Sequence, residues 1–260
     1  MLQVILSPII IKFVAEKRHY EYTCRSFSSF NHKFYKLWKH YFNEMYELRS
    51  AFELYAREYD AWYEKNVIIY ECERNAIDAL KLKGIGLDIG VGSGRLSPVS
   101  ERNYDTPLIG IDISKQMLLI SKKRSIEPLQ ADAYELPFKN ESFDYVFISV
   151  TFCFLEKPSI MLKEVYRILK PNGIIGICIV PRDSSWGNFY EEKGKQGHRF
   201  YKYAKFYTVE EVVEMLTVQR FKVLEYSSTL SYGPMDKPKL EKPSNKIKNM
   251  GFVCIKAVKM

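Results

Sequence analysis

The chain has 260 residues, of which 47% are hydrophobic and 27% charged, with 13 glycines and 11 prolines. Such a length and composition support one sizeable core and exclude a disordered or low-complexity chain. The formal charge of +8 sits at the ends, +4 in residues 1–44 and +5 in 231–260, while residues 45–230 carry −1; a neutral body argues against nucleic acid as the partner.

The apolar run from Leu2 to Val14 is interrupted by Gln3, Ser7, Pro8 and Lys12. It is too short and too broken to span a bilayer, and it lacks the basic start and small-residue cleavage site of a secretion signal. No membrane partner is expected. Residues 16–46 hold His19, His32 and His40 among ten aromatics, but their spacing matches no ligand pattern, so no metal is expected. Cys24, Cys72, Cys153, Cys178 and Cys254 form no C-x-x-C pair, which points to reduced thiols and a cytoplasmic setting. Residues 1–44 read as an aromatic, basic extension that the fold should not require.

From Met45 onward the pattern is helical. Residues 46–65 and 67–82 carry apolar positions at steps of three and four, with Asn66 as the cap of the second helix and Gly84 closing it. Strands are expected at 85–90, 107–113, near EPLQAD and at 143–150, with helices from Ser114 and over 159–169, the latter capped by Ser159. KPNG (170–173) reads as a turn into a strand at 174–180. Past Pro181 the chain reads as an aromatic loop until TVEE (208–211), whose Thr208 and Glu211 have capping-box spacing for a helix to about Leu216. Strands at 221–228 and 251–258, separated by a lysine- and proline-rich loop, complete the pattern. Alternating strands and helices predict an α/β fold, with a parallel sheet covered on both faces.

The chemistry concentrates in LDIGVGSGR (87–95), where a buried strand ends in Asp88 and glycines follow at 90, 92 and 94 before an expected helix. Glycines there let the backbone turn sharply and approach a ligand. The dinucleotide pattern G-x-G-x-x-G fails in both registers, because Arg95 and Ser97 occupy the third glycine positions, and no Gly-Lys-Ser/Thr of a P-loop follows. Asp112 ends the next strand 24 residues after Asp88, where an acid can bond ribose hydroxyls. Two strand-end carboxylates flanking a glycine loop describe a nucleoside site without a phosphate clamp.

LDIGVGSGR, GIDIS, QADAYELPFKNESFDYVFIS and ILKPNGIIGI, in this order and spacing, resemble the signature blocks of class I S-adenosylmethionine (SAM)-dependent methyltransferases. More narrowly they are similar to the small-molecule branch (methyltransferase type 11) that includes the ubiquinone/menaquinone enzymes. The resemblance implies a Rossmann-like, doubly wound, mostly parallel sheet of seven strands with an antiparallel last strand. The resemblance covers about residues 45–230, and the domain it implies is 45–260, with lid helices at 45–83, a SAM-binding half at 84–180 and substrate-side elements and C-terminal strands at 181–260. It further implies that Gly90 and Gly92, with the Gly94 turn, line the methionine part of SAM and that Asp88 holds its amino end. Asp112 would bind the ribose, Ile113 and Met117 the adenine face, Asp132 and the Ala133 backbone the adenine edge, and Ser149 the methionine. AREYDAWYEKN (56–66) resembles the lid, with Tyr59 or Tyr63 closing over SAM.

A histidine pair that many relatives carry after the fourth strand is missing from SVTFCFLEKP (149–158). The base, if one is needed, is left unassigned, with His198 and Tyr59 as candidates, and Cys153 reads as a small hydrophobe rather than a nucleophile. A small-molecule acceptor is the leading expectation. The alternatives are an RNA or protein methyltransferase that holds its substrate with basic ends, and a SAM-binding module without catalysis. The acceptor and the oligomeric state stay open at this stage.

Overall fold

The computed structural model describes residues 46–98 and 108–260. The expectations for the N-terminal extension, its three histidines and Cys24 lie outside the described residues. A helical run at 46–54 leads into α1 (Ala56–Lys65) and α2 (Val67–Asp78). Asn66 does not cap α2 with its side chain; its Nδ2 donates to Trp62 O at 2.8 Å and so satisfies the end of α1 instead. α2 also ends earlier than expected, with Lys81 in the left-handed region at φ +50° before Gly84 is reached.

β1 (Gly86–Ile89), β2 (Leu108–Asp112), α3 (Lys115–Ser121), β3 (Ile126–Gln130) and β4 (Phe143–Ser149) follow. The residues just after β1 form turns, and the stretch in which a helix was expected continues outside the described residues. α4 (Pro158–Ile168) opens on a proline at its first turn and not on a Ser159 cap, because Pro is preset for that position. β5 (Leu169–Ile179) absorbs the KPNG stretch, which was expected to be a turn.

A second correction concerns the aromatic segment after Pro181. It forms α5 (Ser185–Lys195), with Ser184 Oγ accepting from Gly187 N at 3.0 Å. Its glycines and aromatics made it read as a loop, but tertiary packing decides otherwise. Trp186 is buried, donates from its indole N–H to Tyr232 O at 2.6 Å, and rests on Gly251, where any Cβ would collide with it. α6 (Val209–Val218) carries the expected capping box between Thr208 and Glu211. β6 (Phe221–Thr229) and β7 (Phe252–Lys259) end the chain.

The seven strands form one sheet in the order β3-β2-β1-β4-β5-β7-β6. The strands β1 to β5 pair in parallel, and β7 runs antiparallel to both β5 and β6. Its two faces carry separate apolar layers. α4 and α6 cover one, with Leu162, Val165, Val212 and Leu216 against Val146 and Ile177. α2 and α3 cover the other, with Ile77 and Leu118 among the residues packed around Phe147 and Phe252. Fully burying one such side chain contributes about 1.5–3 kcal/mol.

Cys178 and Cys254 form a disulfide, which corrects the expectation of reduced thiols. Seventy-six residues separate them in sequence, yet the β5–β7 register sets them opposite each other on adjacent strands. Cys72 and Cys153 are free thiols. No helix among the described residues is long and apolar enough to cross a membrane.

Candidate active site

Chain order reverses direction between β1 and β4: the path moves outward through β2 and β3, then returns to the other side of β1. Open α/β sheets form their ligand crevice at the carboxyl ends of the strands at such a switch point. A crevice lies there, and the residues that line it include Asp88, Gly90, Gly92, Asp112, Ile113 and Met117, then Asp132, Ala133 and Ser149. Nine of the ten residues that the resemblance assigns to the cofactor therefore line one cavity.

The tenth, Gly94, turns away. Its φ is +80°, and an added Cβ would lie 2.5 Å from Ile126 Cδ1. Gly90 and Gly92 also have positive φ, +68° and +52°. Gly90 N donates to Ile111 O at 2.8 Å, and a Cβ there would collide with Thr151, whereas at Gly92 it would meet nothing within 4 Å. Gly90 is needed for chain packing; Gly92 keeps the crevice floor bare.

Both strand-end acids are held before any ligand arrives. Asp88 Oδ2 accepts from Ser97 Oγ at 2.5 Å. Asp112 accepts from Gly92 N at 2.9 Å and from Ser114 N at 2.8 Å. Burial nevertheless pushes the Asp112 carboxyl up to about 6, with the nearby Glu53 charge adding to the rise against those backbone bonds. Asp132 Oδ1 accepts from Tyr134 N at 2.9 Å. The loop that carries it is clamped by Arg167, which donates to Leu136 O and Phe138 O while paired with Glu164.

At the end of β4, Ser149 Oγ is buried and has no hydrogen-bond partner. The next residue, Val150, sits at φ +46°, an unusual conformation for a β-branched side chain, and also lines the crevice. Cys153 Sγ donates to Val150 O at 3.4 Å, and burial pushes its thiol up to about 12, so it stays protonated and inert.

Tyr59, Tyr63, Leu48 and Phe52 of the N-terminal helices form the opposite wall. Ion pairs hold that wall to the glycine loop. Asp60 bridges Arg95 at 3.0 Å and Arg124 at 3.0 Å, and Arg95 also reaches Glu64. Glu53 Oε2 accepts from Ser114 Oγ at 2.8 Å, tying the 46–54 helix to the start of α3. Phe200 stacks on Phe52 at 4.8 Å and meets Tyr59 edge-on at 5.7 Å, which joins the wall to the segment after α5.

His198 is not brought to the crevice. Its ring stacks on Tyr201 at 4.5 Å and its Nδ1 faces the amides of Phe200 and Tyr201, a turn-forming role. Burial, with Lys193 and Arg199 nearby, moves its pKa down. Two groups escaped the sequence reading: Asp60, which fastens the wall, and Glu73, a buried carboxyl on α2 whose Oε2 has no partner.

Residues 87–177 match a family model described as a methyltransferase domain. An uncharacterized protein of Methanocaldococcus jannaschii is 41% identical over 212 residues, covering 81% of this chain and all of that protein. A malonyl-[acyl-carrier protein] O-methyltransferase of Marinomonas is 30% identical over 135 residues, half of each chain. Among solved structures, a SAM-dependent methyltransferase of Thermotoga maritima, a possible histamine N-methyltransferase, superposes with a TM-score of 0.74 at 32% identity, covering 82% of this chain and 100% of that one.

Proposed function

This chain belongs to the class I SAM-dependent methyltransferases, with SAM as its methyl donor, and on that footing we propose that it methylates a small-molecule acceptor held against the lid tyrosines. The observation that carries the reading is the charge and enclosure of the crevice. Among the described residues its lining includes Asp88, Asp112, Asp132 and Glu156 but a single cation, Arg95, which Asp60 and Glu64 already neutralise. A polyanionic acceptor would need free cations there. The aromatic wall instead suits a compact, partly apolar molecule.

On this reading the crevice residues take the following roles. Asp112 accepts from the ribose hydroxyls, while Ile113 and Met117 press on the adenine. Asp132 and the Ala133 amide meet the adenine edge. Asp88 and the unpartnered Ser149 hydroxyl serve the methionine end, beside the bare backbone of Gly90 and Gly92. Bound there, SAM supplies an electrophilic methyl group on a cationic sulfur. The protein's own contribution is alignment and dryness: Tyr59 and Phe52 exclude water, and the Asp60 pairs hold the wall in place. Tyr59 itself is a poor base, since burial, with the Glu73 charge nearby, pushes its pKa up to about 12. We assign residues 45–260 as the catalytic unit, with 1–44 dispensable. A cytoplasmic setting fits the reaction, with the Cys178–Cys254 disulfide fully buried from reductants.

The test is transfer of radiolabelled methyl from SAM to fractionated small-molecule, RNA and protein pools. Label in the small-molecule fraction is expected. Label confined to RNA or protein, lost on deleting residues 1–44 or neutralising the 237–248 lysines, would replace this reading. Tight binding of S-adenosylhomocysteine with no transfer to any pool would mark a binding module.

A further inference from the structure

Asp88 and Ser149, assigned above to the methionine end of the cofactor, are both buried. A ligand reaches them when the wall formed by the N-terminal helices parts from its surroundings, and that wall is fastened along two seams. One seam joins α1 to the donor loops. There Asp60 meets Arg95 and Arg124, and Arg124 also donates to Ser93 O at 2.8 Å. These groups are part-buried, where water and salt screen a pair less than at the surface, so parting them is costly.

The other seam joins the same helices to residues 199–203, just past α5. Its ion pairs are exposed. Arg199 meets Glu58 at 2.6 Å through side chains 45% and 67% exposed, and Lys202 lies 3.7 Å from Glu47. Tyr203 OH donates to Glu47 at 2.7 Å, also in contact with solvent. Water competes for each of these contacts, so they add little. What remains is one buried ring, Phe200, 8% exposed. It stacks on Phe52 at 4.8 Å and meets Tyr59 and Tyr55 edge-on at 5.7 and 6.4 Å. Among the described residues, every ring-to-ring contact across this seam is made by Phe200. Tyr201 beside it packs on Tyr190 of α5 at 4.4 Å instead.

We propose that Phe200 is the latch of the crevice: ligands enter and leave when this ring withdraws from the socket of Phe52, Tyr55 and Tyr59, while the Asp60 pairs stay made. This rests on the methyltransferase reading above. Phe52 and Tyr59 also line the crevice, and Phe154, another lining residue, meets Phe52 edge-on at 5.2 Å. The socket is thus part of the crevice rim, and emptying it opens a path to the cavity. Phe200 itself does not line the crevice. It acts on a ligand only through its neighbours, so its loss should change the rates of exchange and leave the ligand's own contacts in place.

The test uses the full chain carrying Glu58→Cys and Arg199→Cys together, which replaces the exposed ion pair and keeps Phe200. The protein is loaded with S-adenosylhomocysteine and the two cysteines are joined by a short bis-methanethiosulfonate, whose linkage a thiol cleaves. Each single variant is treated alike, and wild type exposed to the same thiol controls for the Cys178–Cys254 bond. The joined protein should hold its ligand while the controls release it, and cleaving the linker should restore release. Phe200→Ala is the second variant. It should speed both association and release of S-adenosylhomocysteine roughly tenfold, with affinity nearly unchanged. A ring that only packed the core would alter stability and leave the association rate alone. Failure of S-adenosylhomocysteine to bind the wild type would sink the methyltransferase reading itself. With binding intact, three results would overturn only the latch: cysteines that do not join, release from the joined protein as fast as from the controls, or an association rate unmoved by Phe200→Ala.

Discussion

The two sides of the crevice are held by different forces. On the donor side, Asp88 and Asp112 end neighbouring parallel strands and already accept hydrogen bonds from Ser97, Gly92 and Ser114. On the facing side, Tyr59, Tyr63 and Phe52 come from helices that touch the sheet through ring packing and a few ion pairs. A pre-bonded floor recognises one ligand rigidly, whereas a wall held by packing depends on what it encloses. Changes to the floor should therefore act on cofactor affinity, and changes to the wall on closure and transfer.

The harshest way to break the floor is Gly90→Ala. The residue is at φ +68° and its Cβ would collide with Thr151, which itself donates to Gly90 O at 3.0 Å. Left-handed strain and overpacking together should cost about 2–5 kcal/mol. Thermal unfolding and S-adenosylhomocysteine titration should both register the loss. Gly92→Ala offers the contrast, since its Cβ would meet open space and only backbone strain remains. Equal effects from the two would show that collision with the β4 end is not what constrains the loop.

Next in size is Asp112→Ala, which removes the acceptor of two backbone amides and the group assigned to the ribose. Cofactor affinity should fall by about 1.5–3 kcal/mol, as expected for charge-assisted hydrogen bonds. An unchanged affinity would take Asp112 out of the site. The same carboxyl sets a pH dependence. Its pKa is raised to about 6, and binding uses the ionised form, so affinity is full above that value. Below it, affinity should weaken about tenfold per pH unit, or about 1.4 kcal/mol, as the carboxylate protonates. Asp112→Asn should flatten that slope between pH 5 and 6.5; a slope that persists belongs to another group.

The donor side could be read from the sequence because its signals are local. Four apolar runs, a glycine loop and an acid at each of two strand ends specify the crevice with no knowledge of distant contacts. The wall could not be read so fully. α5 looks like a loop until Trp186 finds Tyr232 and Gly251, 46 and 65 residues later in the chain. The Cys178–Cys254 bond depends on the β5–β7 register alone. Glu73 did leave a trace: it sits among Ile69, Cys72, Ala76 and Ile77 on an apolar helical face, where an acid is out of place. That its Oε2 is left without a partner becomes visible only in the folded structure.

The smallest expected effect is on the wall's fastening, and it separates closure from recognition. Burial would raise the Asp60 carboxyl, but bonds to Arg95 and Arg124 outweigh it and hold the pKa below the usual range. The group is part-buried, so Asp60→Asn should cost about 1–2 kcal/mol, between the values for surface and buried pairs. Asp60 does not line the crevice. The donor contacts should therefore survive, and the loss should fall on how long the wall stays shut. Stopped-flow displacement of S-adenosylhomocysteine should show a faster off-rate with a nearly constant on-rate. A slower on-rate instead would mean that Arg95, freed from Asp60, swings into the crevice and obstructs it. In that case the ion pair guards the donor floor, and the division between a rigid floor and a packed wall fails at Arg95.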